Sequence, residues 1–263
     1  MDFTDSQLER YARHIMLPEV GGAGQEKLMR ARVLVVGAGG LGSPLLLYLA
    51  AAGIGTLGVV DHDAVDLSNL QRQVIHDSAS LGRPKVESAA ARIRAINPEV
   101  AVEPHPVKLT ADNAAALISG YDLVADGTDN FTARYLINDA CVAAGKTLVS
   151  AAILRFEGQI GTFKPHAGPD FPCYRCLFPE PPPAGLVPSC AEGGVFGALA
   201  GAVGSFQAIE VLKEVLGIGD SLAGHLLLID GLGAVFRKIR IPRDFDCPQC
   251  GGGREIRGHS PKA

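Results

Sequence analysis

The stretch RVLVVGAGGLG, residues 32–42, decides the fold. Four apolar residues, Val33, Leu34, Val35 and Val36, run straight into glycine, the pattern of a parallel strand buried on both faces. Gly37, Gly39 and Gly42 then spell G-x-G-x-x-G ahead of an apolar helical run at 41–52. Glycine lets the backbone turn tightly and approach a phosphate. The free N–H groups and positive dipole end of the following helix attract one. A second strand, 56–60, closes on Asp61, 19 residues after Gly42, where a carboxylate can accept hydrogen bonds from ribose hydroxyls. The pattern marks a nucleotide site without distinguishing NAD, FAD or ATP.

Working outward, strand and helix signals alternate. A helix starts at Pro84 and is stopped by Asn97-Pro98, and a strand follows at 101–103. Thr110 is placed to cap a helix at 111–119 that ends at Gly120. A strand at 123–125, a helix at 130–144 and a strand at 147–151 complete the series. This β-α alternation predicts a doubly wound, Rossmann-like, mainly parallel sheet. After about residue 155 the rhythm changes. FEGQIGTFKP reads as a strand of antiparallel kind, PEPPPAG as an extended linker, 194–217 as a long small-residue helix and 224–241 as a hairpin. Residues 1–30 read as a polar, helical N-terminal arm, and 31–263 as one nucleotide-binding domain with an antiparallel C-terminal extension, so the chain is a single domain overall.

Composition narrows the class. The 263 residues carry 24 Lys plus Arg against 28 Asp plus Glu, and no basic block stands out, which argues against a nucleic-acid binder held by phosphate contacts. No apolar run reaches the length of a membrane span, and the N-terminus is polar and acidic rather than a signal peptide, so a cytoplasmic protein is expected.

Charged residues cluster after the second strand. Asn69, Gln71, Arg72 and Gln73 lie in one polar loop and Lys85 opens the next helix, two cations suited to a triphosphate. Asp129, in DGTDN after the fourth strand, is placed to hold Mg²⁺ against phosphate oxygens or to cap the following helix; Asp126 is the alternative strand-end residue that positions the turn. Among the six cysteines, Cys173-x-x-Cys176 and Cys247-x-x-Cys250 are knuckles of equal spacing with 70 residues between them. Four thiolates satisfy tetrahedral Zn²⁺ with no position left for substrate, which points to structural zinc. The competing reading, a redox pair, calls for a helix N-terminus following a strand, and neither pair is read as sitting at one. Cys141 reads as core, and Cys190 as a separate loop thiol ahead of a helix.

GAGGLG, VVDHDAVDLSNLQRQ, GRPKVESA, DGTDN, EGQI, CYRC and CPQC occur in this order. On that set the chain resembles the MoeB/ThiF/HesA family of adenylyltransferases, relatives of the ubiquitin-activating enzymes, over roughly residues 5–252, and looks most like its molybdopterin branch. It departs from the family at Gly127, where members often have Cys, and at Ala198, where many have Pro. The resemblance implies ATP-dependent adenylylation of the C-terminal Gly-Gly carboxylate of a ubiquitin-like sulfur-carrier protein, with release of pyrophosphate. The implied carrier is the small subunit of molybdopterin synthase, for molybdenum cofactor biosynthesis, with a thiamine-pathway carrier as the alternative.

The resemblance also implies residue roles. Gly40 would touch the nucleotide and Asp61 hold the ribose. Ser68, Asn69, Leu70, Gln71 and Arg72 would bind the phosphates with Lys85 beside them. Asp129 would bind Mg²⁺ and Asn130 contact the nucleotide. Arg13 would reach into a partner subunit's site, implying a homodimer. Cys190 matches a position that forms a thioester or acyl persulfide with the carrier in some members; without that role it is a loop thiol. Two other classes stay open on the residues alone. An NAD-dependent oxidoreductase would use the glycine loop and Asp61 but leave Arg72, Lys85 and Asp129 without a task. A non-catalytic scaffold would need none of these.

Overall fold

The computed structural model describes residues 3–183, 186 and 190–251, with Cys190 and Ala191 described in backbone only. Part of the PEPPPAG linker, Ala184 and Gly185, therefore lies outside the described residues.

Two helices, α1 (Asp5–Ile15) and α2 (Gly21–Arg30), precede β1 (Arg32–Val36). Alternation then continues through α3 (Gly42–Ala52), β2 (Thr56–Val60), α4 (Lys85–Ile96), β3 (Ala101–His105), α5 (Ala111–Ser119), β4 (Leu123–Asp126), α6 (Phe131–Ala144) and β5 (Thr147–Leu154). The strands order β3-β2-β1-β4-β5, all parallel, and β6 (Glu157–Phe163), β7 (His225–Asp230) and β8 (Val235–Arg240) extend the sheet antiparallel from β5. Between β6 and β7 run two single-turn helices, α7 (Tyr174–Leu177) and α8 (Cys190–Gly193), and the long α9 (Gly197–Leu216). The doubly wound sheet with an antiparallel extension is thus the fold expected from the alternation.

Both faces of the parallel part are covered, as the uninterrupted apolar strands require. Val33 and Val35 face α3, α4 and α9 through Leu45, Ile93 and Val203, while Leu34 and Val36 face α5 and α6 through Ile118 and Ile137. Cys141 is buried in the second layer, as read.

The polar reading of residues 1–30 misses how they are anchored. Leu28 joins the main core, and Gln25 donates to Ala52 O at 2.9 Å. The Tyr11 ring covers the end of α3, where Gly53 turns with φ +83 and any Cβ would lie 2.6 Å from the ring. Tyr11 Oη accepts from Asn97 Nδ2 at 2.8 Å. Burial of a few residues on the inner side, not overall hydrophobicity, fixes these helices.

Strand order reverses between β1 and β4: from β1 the chain builds outward to β2 and β3, then returns past β1 to β4. In open α/β sheets such a reversal leaves a crevice at the carboxyl ends of the strands. The loops after β1, β2 and β4 all open into it.

Candidate active site and metal centre

A cavity of about 440 Å³ fills that crevice. Its floor is the glycine loop: Gly37, Gly39 and Gly40 line it, and Gly42 is the first residue of α3. Gly37 turns with φ +94, and a Cβ on Gly42 would stand 1.9 Å from Gly37 O, so the turn closes only around glycine. Ala38 N donates to Asp61 Oδ2 at 2.8 Å, and Asp63 N to Asp61 Oδ1 at 2.9 Å. Asp61 thus braces the loop while it lines the cavity.

A second brace was not visible in sequence. His76 is buried; its Nε2 lies 2.9 Å from Ala38 O and its Nδ1 2.9 Å from Ser88 Oγ. A carbonyl only accepts, so Nε2 carries the proton and Nδ1 accepts from the serine. Burial lowers the pKa of this imidazole and favours that neutral form. No spacing rule marks such a histidine, because only folding brings it under the loop.

Two of the cations that line the cavity are the ones read from sequence, Arg72 and Lys85. Lys85, buried at the head of α4, donates to Asp63 Oδ2 at 2.9 Å, which holds the Asp63 carboxyl below its usual range. Arg72 donates to Ser68 O at 3.0 Å and to Asn69 Oδ1 at 3.3 Å. Of the stretch 68–72, Arg72 alone lines the cavity, joined by its neighbour Gln73. Ser68, Asn69, Leu70 and Gln71 do not line it. Ser68 Oγ is turned to Asp66, Asn69 also accepts from Gln73 Nε2 at 2.9 Å, and Gln71 O packs against Gly197. These residues form the scaffold under Arg72.

After β4 the chain supplies Gly127, Thr128, Asp129 and Asn130 to the cavity. Asn130, not Asp129, caps α6: its Oδ1 accepts from Ala133 N at 2.9 Å. Asp126 is the strand-end residue that shapes the turn, accepting from Thr128 N and Oγ1 and from Ser150 Oγ. Asp129 is exposed in the cavity wall and makes no hydrogen bond among the described residues. Its carboxylate is free for a cation, and one or two carboxylates beside substrate phosphates form the usual setting for Mg²⁺. Sequence reading also missed Arg134, which lines the cavity from α6. Arg13 is exposed on α1, its guanidinium 4.0 Å from Met16 Sδ, and does not line this chain's cavity.

The four paired cysteines meet, although 70 residues separate the pairs. Cys173 Sγ lies 3.7 Å from Cys247 Sγ and 4.0 Å from Cys176 Sγ, and Cys176 Sγ lies 3.4 Å from Cys250 Sγ. Those separations are far too long for disulfides. Four sulfurs each about 2.3 Å from one tetrahedral Zn²⁺ stand about 3.8 Å apart, so the cluster fits that ion. The hydrogen bond from Cys173 holds the Cys176 thiol down, at about 5, and burial pushes Cys250 up to about 11. Cys173 is the N-cap residue of the single-turn helix α7, but that helix follows a loop rather than a strand, since β6 ends at Phe163. The case against a redox pair rests mainly on the assembled cluster. Cys190 opens α8, and its side chain lies outside the described residues.

Fold and site together define an α/β protein with a cation-bearing cavity at the sheet's crossover and a four-cysteine cluster that could hold a metal ion. Residues 11–249 match the ThiF family, and the chain belongs to it. It is 55% identical over 253 residues to the sulfur carrier protein adenylyltransferase of Thermus thermophilus, covering 95% of this chain and 93% of that one. It is 50% identical over 248 residues to the SAMP-activating enzyme E1 of Haloferax volcanii, covering 94% and 90%. With the adenylyltransferase and sulfurtransferase MOCS3 of Mus musculus the identity is 54% over 246 residues, covering 93% of this chain but 53% of the longer protein. Among solved structures, E. coli MccB with MccA-N7isoASN superposes with a TM-score of 0.79 at 20% identity, covering 95% of this chain and 76% of that one, a likeness of fold.

Proposed function

We propose that this chain is a cytoplasmic sulfur-carrier adenylyltransferase. It binds ATP in the cavity at the β1/β4 crossover and joins AMP to the C-terminal Gly-Gly carboxylate of a ubiquitin-like sulfur carrier, releasing pyrophosphate. The observation that carries this reading is the convergence of Gly37, Gly39, Gly40, Arg72, Lys85 and Asp129 on one cavity from separate segments of a ThiF-family chain. An oxidoreductase has no use for two cations and an unengaged carboxylate at that place, and a scaffold needs no cavity.

The attacking carboxylate is ionised at neutral pH, so no general base is required. The difficulty is repulsion between an anion and a polyanion. Arg72 and Lys85, with Arg13 entering from the partner of a homodimer, offset it and stabilise charge on the departing pyrophosphate. Mg²⁺, when bound at Asp129, supplies Lewis-acid stabilisation of the same charge. Asp61 holds the ribose, and Asn130 contacts the nucleotide while it caps α6. Ser68, Asn69, Leu70 and Gln71 act on the phosphates by fixing Arg72. Zn²⁺ at the four cysteines is structural. The carrier is the small subunit of molybdopterin synthase, which places the chain in molybdenum cofactor biosynthesis; a thiamine-pathway carrier is the competing substrate.

The test is ATP–pyrophosphate exchange with purified carriers, each with and without its terminal Gly-Gly. Exchange should depend on the intact tail and be fastest with the molybdopterin-synthase subunit. Exchange without any carrier, or equal rates with the truncated one, would sink the proposal. The shared site has its own test. Arg13→Ala and Asp129→Ala should each be nearly inactive, and mixing them should restore part of the exchange, because one composite site of each mixed dimer then keeps both native residues. No recovery between subunits shown to exchange would remove Arg13 from the partner's site.

A further inference from the structure

Successive peptide planes of the glycine loop are each pinned by a hydrogen bond. Ala38 N donates to Asp61 Oδ2 at 2.8 Å, which holds the plane between residues 37 and 38. Gly39 O accepts from Ser43 N at 2.9 Å, which holds the plane between 39 and 40 and begins the ladder of α3. The plane in the middle carries Ala38 O and Gly39 N–H. Among the described residues its one hydrogen bond is to a side chain distant in sequence: His76 Nε2 donates to Ala38 O at 2.9 Å.

A trans peptide points its C=O and its N–H in opposite directions. Ala38 O points inward, at a buried imidazole that does not line the cavity. Gly39 N–H therefore points the other way, and Gly39 lines the cavity while Ala38 does not. That N–H makes no hydrogen bond among the described residues, which leaves it free for a ligand. A free backbone N–H beside a helix N-terminus suits a phosphate oxygen.

The reverse orientation is within easy reach of this chain. Turning the middle plane over rotates ψ of Ala38 and φ of Gly39 together and leaves both neighbouring planes in place. Glycine accepts φ of either sign, so residue 39 does not forbid the turn. The flipped plane would aim a carbonyl oxygen at the phosphates, an acceptor where the ligand needs a donor. The imidazole decides between the two states. Donating at Nε2, it bonds a carbonyl and has nothing to offer an N–H. Ser88, on α4, fixes that polarity by donating its hydroxyl to Nδ1 at 2.9 Å.

We propose that His76 is a positioning residue for the nucleotide: it holds the peptide between Ala38 and Gly39 with its N–H toward the cavity, and so makes the glycine loop a donor to the phosphates. This deepens, and rests on, the reading of the cavity as an ATP site. His76 itself touches no ligand.

The experiment compares ATP, with Mg²⁺ present, against adenosine, which has the same base and ribose but no phosphate. Both affinities are measured on the full-length chain and on two variants. His76→Leu keeps apolar bulk and removes the donor. It should weaken ATP binding by about tenfold or more, the worth of one charge-assisted hydrogen bond, and leave adenosine within about threefold. His76→Gln, whose amide can donate to Ala38 O, should recover part of the lost ATP affinity. A merely structural role would weaken both ligands together in His76→Leu, and that result would overturn the proposal. So would native ATP affinity in that variant. NMR of the native chain decides the matter even where His76→Leu does not fold. The Gly39 amide should shift further with ATP than with adenosine, and the His76 ring should carry its proton on Nε2. A Gly39 amide indifferent to ATP, or a ring protonated on Nδ1 alone, would overturn the role of His76 and leave the ATP reading standing. A native chain that binds neither ligand would overturn the ATP reading itself.

Discussion

Asp129→Ala is expected to lower carrier-dependent ATP–pyrophosphate exchange by about a thousandfold or more while leaving the fold intact. On the role proposed for Asp129, losing a carboxylate that would hold Mg²⁺ against the phosphates withdraws several kcal/mol of transition-state stabilisation, at about 1.4 kcal/mol per tenfold. The side chain is exposed, makes no hydrogen bond among the described residues, and leaves the capping of α6 to Asn130, so little structural effect confuses the result. Substitutions at such positions usually move stability by no more than about 0.5 kcal/mol. Asn130→Ala supplies the contrast. It removes the bond to Ala133 N and should cost about 1 kcal/mol of stability, read as a lower Tm. If Asp129→Ala kept exchange within about tenfold of native, the metal role would belong to another residue.

Loss of the metal should be the largest effect on stability. Metal analysis should find one zinc per chain, and Cys173→Ser should release it and cost on the order of 4 kcal/mol. Cys173, Cys247 and Cys250 are all buried, so an emptied site leaves thiols that water does not reach. What else ties the C-terminal segment down is modest: Arg243 donates to the carbonyls of Pro165, Gly168 and Pro169, and Gln249 to Asp139 O. Limited proteolysis should therefore open the chain near residues 244–250 in the variant before the sheet unfolds. The cluster also holds the far end of α6, where Tyr174 N donates to Asn138 and Arg175 meets Asp139 at 2.7 Å. Some loss of nucleotide affinity should accompany metal loss, because the other end of α6 forms the cavity wall. Metal-free protein with native Tm and full exchange would exclude a structural metal.

How far the site was legible differs residue by residue. Gly37, Gly42 and Asp61 follow from backbone geometry, which acts over a few residues and leaves a spacing in the chain. Arg72 and Lys85 were legible as cations near that loop, but not the division of labour around Arg72. Ser68, Asn69, Leu70 and Gln71 look alike in sequence, and the turn alone decides that they face away from the cavity. The capping of α6 fell one residue past Asp129, which the sequence offers as either metal ligand or cap. Asp129 and Asn130 are both good caps, and the choice depends on Asp126 accepting from Thr128 and bending the chain first.

By itself, the sequence determined the alternation of buried strands and helices, the glycine turn and the two cysteine knuckles. All three depend on local rules: periodicity, backbone freedom at glycine, and the short reach of a C-x-x-C pair. The tertiary structure alone decided that the two knuckles come together in one cluster, that His76 braces Ala38, that residues 1–30 are pinned through Tyr11, and that Arg134 lies buried in the cavity wall. Each joins residues far apart in the chain or depends on how deeply a side chain is covered. Burial and distance arise only when the sheet closes, because solvent exclusion is a property of the packed layers and not of any one segment.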